Sequence, residues 1–564
     1  MSTPRPNFTT PEAALAEAVS SQVSAWSAAA GDDAACTRAV AEAARTLSLA
    51  AGDGHVCLPL DEAGAARLRT SHVVGSPQAP AGKPLLLDDQ CRLYTHRAFD
   101  HERALARRLV LAAEPIIEAP SAAALALLDT LFEPGSPQHA AATIALTRRL
   151  AVISGGPGTG KTTTARKLLA LLRVAMPGCR IALAAPTGKA AARLAQAVAE
   201  DGGTSMQAST VHRMMGARGN PLDGDHGFTH GPGRPLALDV LVVDEASMLD
   251  LTLARRLFDA VPPQARVLLL GDKDQIAAVE AGAVFAELAR GALPGTAVAF
   301  THSHRFGPGS GIARLAAAFN DGDGDAVQQV LAAPGDATVR ALHEPVSGLL
   351  AAAVAGHAAY FAQVGNTPFD ATAAHAAFST FRVLCALREG PLGVEAFNAH
   401  LARHARARAA RVDGPHWSGQ PLMVLRNDPV LGLFNGDIGI TLPSASGDGD
   451  SPLAVWFQRP DGKLRAVPPQ RLPPHETAFA TTVHKAQGSE FDRVLVLPGT
   501  AMNRVLTREL LYTAVTRARH QVQLAGSAAL LAQAAAASTV RRSGLASRID
   551  DAIRERREAS APPA

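Results

Sequence analysis

The sequence predicts an α/β protein with two parallel-sheet domains, a mainly helical N-terminal domain and a small β-barrel inserted in the second sheet domain. Three observations carry this. Apolar strand-like runs alternate with helical patterns between about 134 and 335, and the alternation returns at 381 to 388 and 493 to 526. A Gly/Pro-rich stretch from about 414 to 474 interrupts the second set with short alternating runs and turn signals. Finally, 564 residues exceed what one hydrophobic core holds, since single cores stop growing near ~250 to 300 residues.

Taken in chain order, residues 1–115 are Ala-rich and helical in period, broken by Gly52-Asp53-Gly54 and by a Pro/Gly-rich stretch from Gly75 to Pro84. They contain no catalytic constellation. The first sheet domain is expected over 130–340, with strands in LAVIS, RIALAAP, LDVLVVDE and RVLLLGD. The second is expected over 341–564, with strands in FRVLCALR, RVLVLPG and QVQLAG, and with the barrel at 414–474 as its insert. The stretch from Pro345 to Phe369 carries no formal charge, but its Ala, Gly, His357 and Gln363 suit a packed helix and not a membrane span.

Composition narrows the function. With 47% hydrophobic and 19% charged residues, the chain reads as globular and soluble. Net charge is only +3, so a nucleic-acid partner needs a local groove and not a globally basic surface. Of 54 basic residues seven are lysines, so Arg has displaced Lys almost everywhere and each remaining ammonium stands out. Five cysteines show no CxxC pair or zinc-ligand spacing and are expected as reduced core residues. The first residues lack a basic-then-apolar signal pattern, which predicts a cytoplasmic protein.

Gly155-Gly156-Pro157-Gly158-Thr159-Gly160-Lys161-Thr162 fits GxxxxGK[ST] between a strand and the helical run TTTARKLLALLRV, with Thr163 next. Glycines let backbone N–H groups close on phosphate oxygens, Lys161 bridges the outer phosphates and Thr162 is placed to hold Mg²⁺. Asp244 and Glu245 end the apolar run Leu241-Val242-Val243. Alone such a pair also reads as a helix cap; after a P-loop it reads as a Mg²⁺-holding Asp244 and a Glu245 that polarises the attacking water. Gln275, after RVLLLGD, is expected near the γ-phosphate or, more plainly, in a polar turn.

The ordered set GGPGTGKTTT, APTGKAAARL, STVHRMMG, VVDEASMLD, GDKDQIAAVEAG, HRFGPGSGIARLA, TTVHKAQGSEFD and LLYTAVTRAR resembles the motif series of superfamily 1 DNA helicases over about 138 to 520. GHVCLPL, FRVLCALREGPLGVEAFN and NDPVLGLFNGDIGI are similar to the RecD family, the alpha subunits of exonuclease V (RecBCD) enzymes. The resemblance implies two RecA-like motor domains with an SH3-like insert, and ATP with Mg²⁺ as cofactors. It implies that Gln138 reads adenine and that Arg305 and Arg517 act as arginine fingers. It further implies DNA contacts from Pro186, Thr187 and Lys189, from Thr210 and His212, and from Thr482, His484 and Lys485. These are hydroxyls, imidazoles and ammonium groups suited to phosphate oxygens, and a solvated loop position is the plainer reading of each one.

The segment 217–236 is read either as a duplex-splitting hairpin with Phe228 near its tip or as a surface loop. His304 stands where many superfamily 1 helicases carry a tyrosine on the adenine ring, and Asp461-Gly462-Lys463 is a hairpin turn and not a nuclease centre. The stretch before the motor leaves little room for the helix-hairpin-helix region of longer, stand-alone RecD-like helicases. The resemblance to the RecD family implies a 5′-to-3′ DNA helicase subunit that processes double-strand ends for recombinational repair. It would act on single- and double-stranded DNA ends in a heterotrimer with RecB-like and RecC-like subunits, docked through residues 1–115, with no membrane association. Two other readings stay open: a stand-alone helicase, and an ATP-gated DNA-binding subunit without productive unwinding.

Overall fold

The computed structural model describes residues 11–560 apart from 81, 200–205, 219–226, 308, 334, 366–368, 429, 445–451 and 460–461. Two parallel sheets organise the chain. In the first, the strand order is Ala297–Phe300, Leu150–Gly155, Arg266–Gly271, Val240–Val243, Ile181–Ala185 and Ala208–Thr210, all parallel. The central strands are buried on both faces, which is why they read as unbroken runs of Val, Leu and Ile and not as alternations. In the second, the order is Val339–Leu342, Ala518–Ala525, Phe491–Leu497, Phe381–Cys385 and Ala480–Thr482, again parallel.

The insert is a five-stranded antiparallel sheet, a meander of Gln420–Val424, Ile438–Pro443, Leu453–Gln458 and Leu464–Val467 with His475–Thr477 added beside its first strand. It wraps a core of its own from Leu422, Val424, Leu431, Leu433, Val455, Phe457 and Val467. Leu464–Val467 and His475–Thr477 are its outer strands, and this meander stands where the small β-barrel is expected.

The domain limits drawn from sequence need three corrections. Residues 306–342 pack with the second sheet and not the first: Ile312, Leu315, Phe319 and Val327 share one core with Leu384, Val494 and Leu510, and Val339–Leu342 is a strand of that sheet. Helical periodicity shows that a face is buried but not against what, so a limit at 340 was the natural error. Second, helix His96–Ala113 is part of the first sheet's core, where Phe99, Leu105 and Leu109 meet Leu241, Val243 and Leu257. The region before it is mainly helical, as expected, and also contains a small four-stranded sheet of Leu58–Pro59, Arg92–Thr95, Leu85–Leu87 and Val74–Gly75. Third, the final helix, Leu545–Ser560, leaves the second sheet and returns to the chain's beginning, burying Leu545, Ile549 and Ala552 in the same core as Phe99. Glu102 accepts from Ser543 Oγ at 2.7 Å and from the Gly544 N–H at 2.9 Å, which ties the two ends together.

The uncharged stretch after Pro345 folds as two helices, Val346–Gly356 and Ala358–Val364, bent by 51°. A Cβ on Gly356 would meet the Phe381 ring at 2.2 Å, so the helix lies directly on the second sheet. No single helix among the described residues is long and apolar enough to cross a membrane. Cys36, Cys57, Cys91 and Cys385 are buried and Cys179 half-buried, all as free thiols.

The final helix makes the fold testable. Ile549→Ala deletes a fully buried side chain and should cost about 2 to 5 kcal/mol. The exposed Val540→Ala should stay within about 0.5 kcal/mol. Urea unfolding of both variants measures the contrast, and equal midpoints would detach the final helix from the core.

Candidate active site and nucleic-acid interface

The P-loop leaves the strand Leu150–Gly155 and enters the helix Lys161–Ala175. Gly158 and Gly160 take φ of 76° and 84°, a left-handed backbone that a side chain resists, and a Cβ on Gly158 would lie 2.4 Å from that of Arg305. The Lys161 ammonium donates to the carbonyls of Gly155 and Gly156, to the latter at 3.0 Å. Thr159 Oγ1 donates to the Gly156 carbonyl at 2.8 Å and closes the loop on itself.

Above the loop opens a cavity of ≈ 750 Å³ whose lining includes Gln138, Pro157, Gly158, Thr159, Gly160, Lys161, Thr162, Thr163, Asp244, Glu245, Gln275, His304, Arg305 and Arg517. Thus Gln138, the loop, both carboxylates, the glutamine and both arginines foreseen from sequence face one space, with Gly155 and Gly156 in the loop beneath it. Glu245 is one of only two described non-glycine residues at positive φ, 51°, and its N–H donates to Asp244 Oδ1 at 2.9 Å. Such strain persists only where the surroundings enforce it, and it gathers at functional sites. Enclosure in the cleft, reinforced by the neighbouring Glu245 charge, lifts the Asp244 carboxyl to about 6, while Lys161 opposes the shift.

Gln275 is buried, and its Nε2 donates to Asp272 Oδ2 at 3.0 Å. Tyr512, from the second sheet's side, donates to the same oxygen at 2.9 Å. Arg517 is 2% exposed and held by carbonyls, through Nε to Thr513 at 3.1 Å and Nη1 to Ser489 at 3.3 Å. Arg305 pairs with Glu490 at 2.7 Å, and Arg193 pairs with the same carboxylate. Despite its burial, Glu490 is held down at about 2 by Arg193 and then Arg305. Arg193, Glu490, Asp272 and Tyr512 all lay inside recognised motifs, yet their part in the cleft depends on contacts between distant segments that no local pattern displays.

The positions foreseen for DNA do not form one uniform set. Pro186 and Thr187 follow the strand Ile181–Ala185, and Thr210 ends the neighbouring strand Ala208–Thr210, with the exposed His212 two residues on. Thr187 Oγ1 accepts from the Ala190 N–H at 3.3 Å and Thr210 Oγ1 from the Arg213 N–H at 3.2 Å, so both cap helices. Thr482 ends an edge strand of the second sheet and accepts from the Lys485 N–H at 3.3 Å. Lys485 is paired with Glu476 at 2.8 Å, and His484 is half-buried, with burial and then the Arg541 charge lowering its pKa. Lys189 lies apart from these, in a second cleft of ≈ 610 Å³ with Arg382, Phe434 and Asp437. Lys189 is itself exposed on the wall of this cleft.

Ala217–Arg218 and Gly227–Phe228 form a two-residue antiparallel ladder, with residues 219–226 outside the described ones. Phe228 sits at the base of this ladder and not near a tip, where it packs on the first sheet's core 6.1 Å from the His212 ring.

A P-loop on one sheet, completed by an arginine from a second, defines a two-domain P-loop motor. Residues 135–339 match the family model of the AAA domain, and 477–525 that of the UvrD-like helicase C-terminal domain. The RecBCD enzyme subunit RecD of Mycolicibacterium smegmatis is 38% identical over 508 residues, 87% of each chain. The Haemophilus influenzae subunit RecD is 32% identical over 73% of this chain and 72% of its own. The ATP-dependent RecD2 DNA helicase of Deinococcus radiodurans is 34% identical over 69% of this chain and 48% of its own. Among solved structures, Bacteroides Pif1 bound to single-stranded DNA is 14% identical with a TM-score of 0.40, covering 76% of this chain and 98% of its own. The chain belongs to the RecD family and is an ATP-dependent DNA helicase.

Glu490 yields a pH prediction. A carboxylate depressed from 4.5 to about 2 adds stability above its unfolded pKa that is lost as pH falls from about 4.5 towards 2. The full effect is on the order of 3 kcal/mol at most. Melting followed from pH 5 to pH 3 should fall less steeply for Glu490→Gln than for the wild type, and parallel curves would remove the ion-pair account.

Proposed function

We propose that the cleft hydrolyses ATP with Lys161, Glu245, Gln275, Arg305 and Arg517 as its working residues. The observation that carries this reading is a pair of unsatisfied groups: Gln275 Oε1 and Arg305 Nη1 are buried without a hydrogen-bond partner, and both residues line the cavity that Lys161 and Glu245 line. A buried acceptor and a buried donor left unmade cost about 1 to 3 kcal/mol each, which a substrate in the cavity can recover. Gln275 Oε1 suits the O–H of an attacking water, Glu245 takes that water's proton, and Arg305 and Arg517 meet the charge that develops on the γ-phosphoryl oxygens. Gln138, at the rim, is placed to read adenine with its amide, which carries one acceptor and one donor group.

The donor set fits Mg²⁺. Asp244 and Glu245 bring two carboxylates to the cavity, and burial, with the Glu245 charge second, raises the Asp244 carboxyl, so a cation bound there would be stabilised. Mg²⁺ takes most of its shell from phosphates and water, so one carboxylate and one hydroxyl beside the P-loop are enough to hold it. Thr162 and Asp244 would hold it, and bound there it would neutralise phosphate charge.

Because Lys161 and Arg517 come from different sheets, nucleotide in the cleft favours closure of the two motor domains and its loss favours opening. With single-stranded DNA on Thr187, Thr210, His212, Thr482, His484 and Lys485, each cycle moves one domain along the strand. We assign this motion a 5′-to-3′ polarity and a place in a heterotrimer with RecB-like and RecC-like chains, working on double-strand ends in the cytoplasm. Support comes from relatives named as RecBCD subunits that match this chain over most of its length.

Two experiments test the reading. Lys161→Ala should abolish ATP turnover with folding intact, and Glu245→Gln should lower it ~100-fold or more while ATP still binds. Turnover near wild type in either variant would remove that residue from the chemistry. Affinity purification from cells, followed by unwinding assays on 5′-tailed and 3′-tailed duplexes, should recover two partner chains and favour the 5′ tail. A free chain that unwinds unaided would make it a stand-alone helicase.

A further inference from the structure

The loop between Gly271 and Val284 carries Gln275 and forms neither helix nor strand after Gly271, so beyond the turn at Asp272 much of its backbone is satisfied from outside. The second motor domain supplies part of this: Thr513 Oγ1 accepts from the Ile276 N–H at 3.0 Å, and Gln487 Nε2 donates to the Ile276 carbonyl at 3.0 Å. Further along the loop the partner is Arg541, a residue more than twenty positions beyond the last motor motif. Its Nη2 donates to the Ala278 carbonyl and its Nη1 to the Glu280 carbonyl, both at 2.5 Å. Among the described residues no carboxylate forms a salt bridge with it; its two terminal nitrogens are occupied with carbonyl oxygens, a geometry that a guanidinium suits better than an ammonium.

Gly54 completes the seat. It takes φ of +84°, its carbonyl accepts from the Gly282 N–H at 3.1 Å, and a Cβ there would lie 2.1 Å from Arg541 Nη1. Only a glycine lets the guanidinium lie against this backbone while the same residue holds the loop's far end. Next to it the Val56 N–H donates to the Arg542 carbonyl at 2.8 Å, and the Arg542 N–H donates to His55 Nδ1 at 3.0 Å. The beginning and end of the chain therefore grip the loop together, while the second motor domain grips it nearer Gln275.

We propose that Arg541 is a positioning residue for ATP turnover: seated on Gly54 and donating to the carbonyls of Ala278 and Glu280, it holds the loop that places Gln275 in the cleft. This rests on the reading of Gln275 given above. Small displacements of a group aligned with the reacting atoms cost much more rate than affinity, so the loss falls on kcat and not on nucleotide binding.

The test uses the full chain and its DNA-stimulated ATPase, with thermal melting and nucleotide-binding titration to count folded sites. Arg541→Ala should lower kcat per site by about tenfold with the KM for ATP within about twofold. Arg541→Lys, which keeps a donor within reach of one carbonyl, should recover part of the loss. Gly54→Ala should displace the guanidinium and reproduce the loss, and the double variant Gly54→Ala/Arg541→Ala should be no slower than Arg541→Ala. Wild-type kcat in Arg541→Ala, additive losses in the double variant, or fewer folded sites at unchanged kcat per site would each overturn the proposal. Gln275→Ala separates the two readings: if it turns over at the wild-type rate, the role given to Gln275 fails. If it is slow while Arg541→Ala is not, the positioning role alone fails.

Discussion

A single carboxylate, Glu490, stands between Arg193 and Arg305 in the cleft where the two sheets meet. Glu490 and Arg305 are largely buried while Arg193 stays half in solvent, and burying the first two is costly; the arrangement holds because each guanidinium finds the same acceptor across the boundary. The pairing keeps Glu490 ionised down to about 2 and holds Arg305 beside the P-loop, where the Cβ of Arg305 leaves room only for glycine at 158. Glu490 comes from the second motor domain and Arg193 and Arg305 from the first, with Arg519 at 3.4 Å on Glu490's own side, so the charge balance of the site depends on how the two domains meet. Rearranging the domains leaves buried charge uncompensated unless another anion takes its place, which is the property a phosphate-driven motor requires.

What could be read from sequence follows the range of the physics. The P-loop, Asp244 and Glu245 are local patterns whose chemistry needs only their own strand and turn, and all of them face the cavity. The long central strands announced themselves by unbroken apolar runs. Ala208–Thr210, Val339–Leu342 and Ala480–Thr482 did not, because a strand of three or four residues exists only through a remote neighbour. The same blindness to partners moved the limit near 306 to 340 and left the final helix with the wrong sheet. Arg193, Glu490 and Tyr512 were in view as letters of motifs, but their contacts cross from one domain to the other.

The threonines expected to touch DNA show how a structural and a functional reading coexist. Thr187, Thr210 and Thr482 each accept a backbone N–H through Oγ1, as a capping or turn residue does. A hydroxyl has two lone pairs and one proton, so accepting from the backbone leaves the O–H free to donate to a phosphate oxygen. Capping fixes the rotamer in advance and reduces the entropy lost on binding. Lys485 differs, since its ammonium is already engaged by Glu476 and any phosphate contact competes with that pair.

The segment GHVCLPL lies within residues 1–115, the region expected to dock partner chains. Its position gives the segment a structural role. Gly54 needs both its positive φ and its missing side chain to admit Arg541, and Val56 and Cys57 are buried in the core shared with the first sheet and the final helix. Residues 54–57 thus lie where the beginning, middle and end of the chain cross, and helix His96–Ala113 continues that core. Removing residues 1–115 would strip apolar contacts from the first motor domain itself, so a loss of partner binding in such a truncation would not distinguish docking from unfolding. The outer hairpin, Pro11–Ala29 against Ala34–Gly52, buries Val23, Val40 and Leu47 in a separate cluster with Leu68 and Leu93. Trp26 lies exposed on that hairpin, whose core is separate from the one that holds the P-loop sheet, so the two can be perturbed independently.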